Sequence, residues 1–261
     1  MMSPLARTTF GMFYALVILI IYLPIVVMAI FSFNSGKYQT MPFREATIAW
    51  YQQILVDSQY LEALGNSLVL ASLVSVTATA IAFAAAYALV NAEMPGKELF
   101  TLFILAPLVV PLLLIGISLR LYFGALGIQP GLSLVFIGQV LFVLPLAVLN
   151  LRNRLAQLPR SHEEAARDLG ASRLTAIIEV VIPACKFTMI ATLLLTFTFA
   201  FDEFVIAYFL TNFEITLPIK IWTTLVTGFD PVINAVGVAV FLFSMTLGLL
   251  AQAVFMRKET A

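Results

Sequence analysis

An all-helical, polytopic membrane protein with six spans is predicted from three observations. Of 261 residues, 62% are hydrophobic and 11% charged, too apolar for a water-soluble domain and too long for a single anchor. Six runs reach the roughly twenty mainly apolar residues that a helix needs to cross a bilayer: 10–33, 64–90, 100–121, 132–151, 187–210 and 235–256. The basic residues are also asymmetric about those runs. Arg7, Lys97, Arg152, Arg154, Arg160, Arg167, Arg173, Lys186, Arg257 and Lys258 fall on one side, and Lys37, Arg44, Arg120 and Lys220 on the other. The positive-inside rule then places both termini and the 152–186 loop in the cytoplasm. With 14 Lys and Arg against 14 Asp and Glu, bulk electrostatics excludes a nucleic-acid partner.

The first run follows Arg7 but is about 24 residues long, beyond the roughly 7 to 15 of a signal-peptide core, and no small-x-small site follows it, so it reads as a retained helix. The expected organisation is a first helix and outer segment over 1–61, a five-span core over 62–257 and a tail over 258–261. In the polar stretch 34–62, Trp50, Tyr51, Ile54 and Leu55 can form the apolar face of a short interfacial helix. The second run is rich in small residues, among them Ala71, Ser75, Ala78, Ala82 and Ala86, which suits close packing in a central position. Pro107 and Pro111 are expected to kink the third span and Pro145 the fourth. The fifth carries Asp202 and Glu203. A carboxylate at mid-membrane costs about 2.5 to 3.5 kcal/mol on an insertion scale, so both should face protein or water. Residues 217–222 predict a short amphipathic helix on the outer surface, and Gly228-Phe229-Asp230-Pro231 a turn. The lone Cys185 is expected to be a packing residue.

Between the fourth and fifth runs lies a polar stretch, Ser161-His162-Glu163-Glu164-Ala165-Ala166-Arg167-Asp168-Leu169-Gly170, closed by Val180-Val181-Ile182-Pro183. Ser161 and Glu164 have capping-box spacing, Pro159 bars helix upstream, and Gly170 can take the left-handed conformation that ends one. Ala165 and Ala166 leave one face nearly bare, so another protein can approach the backbone while Glu163, Glu164, Arg167 and Asp168 bond around the contact. His162 is expected at the solvent-exposed start of this docking knob. No phosphate-binding G-x-x-x-x-G-K-[ST] segment, metal-ligand cluster or nucleophile–base set is present, so the chain is expected to carry no catalytic site, metal or cofactor.

That stretch resembles the coupling loop of permease subunits of binding-protein-dependent ABC importers, E-A-A-x(3)-G-x(9)-I-x-L-P, with Val180 and Ile182 departing mildly at the last apolar sites. The resemblance implies the type I, MetI-like permease architecture in a bacterial inner membrane, with the first helix wrapped around a partner. It also implies a second homologous permease, two cytoplasmic ATPases holding ATP and Mg²⁺, and an external or periplasmic solute-binding protein. Ser161, Glu163, Glu164, Ala165, Ala166, Asp168 and Gly170 become the residues of ATPase coupling.

Within that superfamily, Phe201-Asp202-Glu203-Phe204-Val205-Ile206 is similar to the F-[DE]-[DE]-F-V-I of polyamine permeases. Trp50-Tyr51, Asn66-Ser67, Thr216-Leu217-Pro218 and Pro231-Val232-Ile233-Asn234-Ala235 look like the same branch, whereas Gln139 departs from its usual histidine. Asp202, Glu203 and Tyr208 are candidates for a pathway taking spermidine or putrescine. The competing reading of the acidic pair is a contact with the sister permease or a buried hydrogen-bond network. Opine, amino-acid-derivative and ferric-ion importers share parts of the pattern. A secondary carrier driven by an ion gradient would instead place intramembrane charges on several helices and often show an inverted repeat, and neither is evident here.

Overall fold

The computed structural model describes residues 4–36, 43–92, 95–228 and 230–256; Lys37, Phe229, Arg257 and Lys258, used in the charge and turn readings, lie outside the described residues with the rest of the 258–261 tail. In chain order the helices are α1 (Pro4–Phe31), α2 (Ala49–Val56), α3 (Ser58–Asn91), α4 (Lys97–Leu105), α5 (Leu112–Ala125) and α6 (Leu132–Leu155). There follow α7 (Ser161–Asp168), α8 (Arg173–Ala176), α9 (Ile182–Ala184), α10 (Lys186–Phe201), α11 (Val205–Leu210), α12 (Leu217–Thr227) and α13 (Val232–Phe255). Among the described residues the only β pairing is one isolated bridge between Asn34 and Ala46.

Among the described residues four helices, α1, α3, α6 and α13, are long and apolar enough to span a membrane alone, and counting each of two bent pairs as one span raises the number to as many as six. The third predicted span is not one kinked helix. Pro107 sits in a 3₁₀ turn, Ala106–Leu108, and Pro111 precedes α5 in an extended conformation. The helices on either side lie at 101°. Two prolines four residues apart remove two amide donors from one turn, which breaks the ladder outright. A single proline does not: α6 continues through Pro145. The fifth run is also interrupted, because α10 stops at Phe201 and α11 restarts at Val205.

The chain divides into two units, Met1–Leu61 with Lys220–Phe243, and Glu62–Ile219 with Ser244–Ala261. In the first, α2 is pinned to the turn after α1. Trp50 Nε1 donates to the Asn34 carbonyl at 2.9 Å, and the Tyr51 and Ser32 hydroxyls are 2.8 Å apart. Trp50, Tyr51 and Ile54 form the half-buried face, but Leu55 is exposed, since it lies a further 100° round the helix. The Tyr60 hydroxyl donates to Thr224 on α12 at 3.3 Å, and Lys220 bonds Gln59 with its ammonium 5.0 Å from the Tyr60 ring centre. The Asp230 carboxylate accepts the Val232 amide at 2.9 Å, which starts α13.

In the second unit, α3 buries a stripe of Ala71, Val74, Ala78, Ala82 and Ala86, the three- and four-residue spacing of one helical face. Its lower part packs with Ala147, Val148 and Leu151 of α6 and with Cys185, which is buried as expected of a packing residue. The opposite face, with Val69, Leu73, Val76 and Ile81, is exposed, so α3 is amphipathic between protein and surroundings rather than buried all round. The short α11 packs against α5 and α6. A Cβ on Gly138 would lie 2.5 Å from Ile206 Cγ2 and 2.9 Å from Leu210 Cδ1, so only glycine lets α6 approach α11 this closely. Gly138→Val should therefore cost about 1–3 kcal/mol of overpacking, read as a lower unfolding temperature in detergent; an unchanged transition would show that this contact is loose.

Candidate functional site

The 156–185 loop is built from short helical pieces whose ends the sequence marks only in part. Ser161 is not the cap of α7. Arg160 already has helical dihedrals, and its carbonyl accepts the Glu164 amide at 3.0 Å, the donor that a Ser161 cap would have bound. The true serine cap is Ser172, in an extended conformation, which accepts the Thr175 amide at 3.1 Å and starts α8. The far end of α7 behaves as expected. Gly170 has φ +93°, its amide reaches the Arg167 carbonyl at 2.9 Å, and the Ala171 amide reaches Ala166 at 3.0 Å. This pair of bonds is a Schellman termination.

On α7, Ser161, His162, Glu164, Ala165, Arg167 and Asp168 are exposed, while Glu163 and Ala166 are half-buried. Leu169 is 90% exposed, and Leu174 and Ile178 also stand open. An uncovered leucine beside two small residues is a surface that another protein can bury at a gain of about 25 cal/mol per Å². Glu163 differs from its neighbour Glu164: its Oε1 accepts the Tyr87 hydroxyl at 2.6 Å. Past α8 the backbone forms a π turn, Ile177–Val181, then α9, and the chain bends by 73° into α10. The Arg154 guanidinium donates to the Ala184 carbonyl at 2.8 Å across this bend.

The acidic pair divides into two different environments. Glu203 is 5% exposed, and its carboxylate accepts the Ile206 amide at 2.7 Å, the Ala207 amide at 3.0 Å and Gln139 Nε2 at 3.4 Å. It supplies the acceptors that the first turn of α11 lacks. Gln139, itself fully buried, supplies the N–H donor that faces this carboxylate from α6. Asp202 is exposed and accepts the Ser244 hydroxyl of α13 at 2.9 Å. Tyr208 is 50% exposed, with the Phe204 ring 5.4 Å away. Asp202 and Tyr208 thus present a negative charge and an aromatic face at the surface, while Glu203 is committed to backbone amides. The helix-capping role of Glu203 had a sequence signal, an acid three residues before Ile206 at a helix restart, hidden by the apolar run around it.

The structure also joins fragments that the sequence keeps 150 residues apart. Asn66 Nδ2 donates to the Ile215 carbonyl at 3.1 Å, and Ser67 Oγ accepts the Leu217 amide at 2.8 Å. Glu203→Ala should strand two buried amides and cost about 2–4 kcal/mol, whereas Glu203→Gln, which keeps an acceptor oxygen, should lose less. Thermal unfolding of the two purified variants tests this, and equal stability would remove the capping role.

Residues 78–258 match the family model described as "Binding-protein-dependent transport system inner membrane component". The chain is 29% identical over 252 residues to the spermidine/putrescine transport system permease protein PotC of Escherichia coli K12, covering 96% of this chain and 95% of that one. It is 32% identical over 247 residues to the putrescine transport system permease protein PotI of the same strain, covering 92% and 88%. Its fold is similar to a chain in the crystal structure of a bacterial ABC transporter importing the acidic polysaccharide alginate, with TM-score 0.70, 20% identity and coverage of 100% and 99%. The family match spans the 156–185 loop, and the relatives match nearly end to end: the chain belongs to the inner membrane components of binding-protein-dependent transport systems.

Proposed function

We propose that this chain is one permease subunit of an ATP-driven importer that takes a polyamine, spermidine or putrescine, from an external solute-binding protein into the cytoplasm. The observation that carries the coupling half of this reading is α7. It is a polar helix with exposed Ala165, Glu164 and Asp168, followed by an exposed Leu169, set between apolar spans. An ATPase subunit with a cleft for such a helix would bury Leu169 and meet the carboxylates with cations. Two ATPases carrying ATP and Mg²⁺, and a second homologous permease, complete the assembly. The cytoplasmic placement of α7 and of both termini follows from the basic residues. ATP binding makes the cycle directional by stabilising one conformation more than the other.

The substrate half rests on the names of the relatives and on Asp202. A polyamine is a flexible polycation, and an exposed carboxylate held by Ser244 offers it a charge-assisted bond. Tyr208 and Phe204 offer aromatic faces of the kind that bind ammonium groups. Glu203 supports this site by holding α11 in place.

Vesicles loaded with ATP, with ion gradients collapsed, should accumulate labelled putrescine or spermidine when supplied with the solute-binding protein. Glu164→Lys or Gly170→Arg should abolish that uptake and release the ATPase on purification, with the chain still in the membrane. Retained uptake in both variants would refute the docking role. Asp202→Asn should raise the KM for polyamine about tenfold, the worth of one charge-assisted bond. An unchanged KM would return Asp202 to a contact between helices.

A further inference from the structure

Helix α3 runs 34 residues without proline, about 50 Å at 1.5 Å per residue. Its last turn is held by three side chains from the segment that carries α7. Tyr87, only 8% exposed, donates its hydroxyl to Glu163 in the first turn of α7 at 2.6 Å. Arg160, just before α7, donates from Nη2 to the Val90 carbonyl at 3.2 Å, where a cation also meets the negative end of the α3 dipole. Arg173, just after α7, places its guanidinium carbon 5.7 Å from the centre of the Tyr87 ring. Both flanks of α7 and its first turn are therefore fastened to the same turn of α3, while Glu164, Ala165, Arg167 and Asp168 stay exposed. At the other end of α3, Asn66 and Ser67 hold the backbone of Ile215 and Leu217.

The geometry points to Tyr87 and Glu163 as positioning residues that lock α7 to α3, so that a displacement of α7 is carried along α3 to the 215–217 segment. A phenylalanine would fill the Tyr87 site equally well as packing, so the hydroxyl serves the bond. Glu163 is thereby separated in role from Glu164, whose carboxylate is free for a partner. An unbroken rod suits this task because it has no bend in which a push could be absorbed, unlike the α4–α5 pair.

This inference rests on the reading of α7 as the ATPase contact, and one experiment separates the two. In the assembled complex in vesicles, putrescine moved per ATP hydrolysed should fall about tenfold in Tyr87→Phe and in Glu163→Leu, with the double variant no worse than the worse single one. Glu163→Gln, which keeps an acceptor for the hydroxyl, should stay within about twofold of wild type. Hydrogen exchange at the Leu217 amide should respond to a non-hydrolysable ATP analogue in the wild type and lose that response in Tyr87→Phe, a change that a merely structural role would not produce. Should Tyr87→Phe fail to assemble, Arg160→Gln, at an exposed contact, carries the same test with a fall of about threefold expected. An unchanged ratio or an intact exchange response in the variants overturns the lock while wild-type coupling stands. Uptake by the wild type without ATP overturns both.

Discussion

A helix that breaks inside an apolar slab must find partners for its freed amides within the protein, and the placement of Asp202 and Tyr208 depends on how this chain meets that demand. Glu203 is the central answer. Its carboxylate occupies the amides of Ile206 and Ala207, so the fifth apolar run can stop at Phe201 and restart four residues later. The restart turns α11 back among α5 and α6, where Gly138 leaves room for Ile206 and Leu210. The Gly131 amide then donates to the Leu210 carbonyl at 2.9 Å, satisfying the far end of α11 as Glu203 satisfies its start. Because this short helix is held at both ends, Asp202 before it and Tyr208 within it stand at the surface in a defined arrangement.

The 156–185 loop solves the opposite problem. Its groups need not be hidden from lipid, and it combines a tied base with an open outer face. Stiffness comes from below: Tyr87, the Val90 carbonyl and the Arg154–Ala184 bond tie the loop to the ends of α3, α6 and α9. Openness comes from the outer face, where Ala165 and Leu169 stay exposed. The Schellman termination at Gly170 closes α7 after two turns, which keeps the protruding element short.

Much of this was legible in the chain, and the failures share a cause. Apolar runs of spanning length, the helix-ending glycine, the short helix at Trp50 and the short polar helix α7 are local signals, each set by neighbours a few residues away. Ser161 misled because its spacing to Glu164 satisfies the capping rule on paper, while the Arg160 carbonyl already accepts the Glu164 amide. Leu55 misled because tryptophan, tyrosine and isoleucine beside it defined the face more firmly. The third span read as kinked because either proline alone would leave a helix continuous, as Pro145 does in α6, whereas two within about one turn divide it.

The amino-acid sequence alone determined that the chain is helical, apolar enough to lie in a bilayer, and provided with a short polar helix between two apolar runs, since composition and short-range spacing suffice for all three. Only the tertiary structure decided what each carboxylate does. Glu163 and Glu164 are adjacent, as are Asp202 and Glu203, and each pair reads as two equivalent acids. Glu163 and Glu164 lie on one helix, where successive residues point about 100° apart, so one faces Tyr87 and the other outward; Asp202 and Glu203 lie in the break between α10 and α11, where Glu203 turns to the α11 amides and Asp202 to the surface. Glu163 turns to a partner 76 residues distant, a contact that no local pattern can encode, and Glu203 joins the nearby α11 amides to Gln139, 64 residues away.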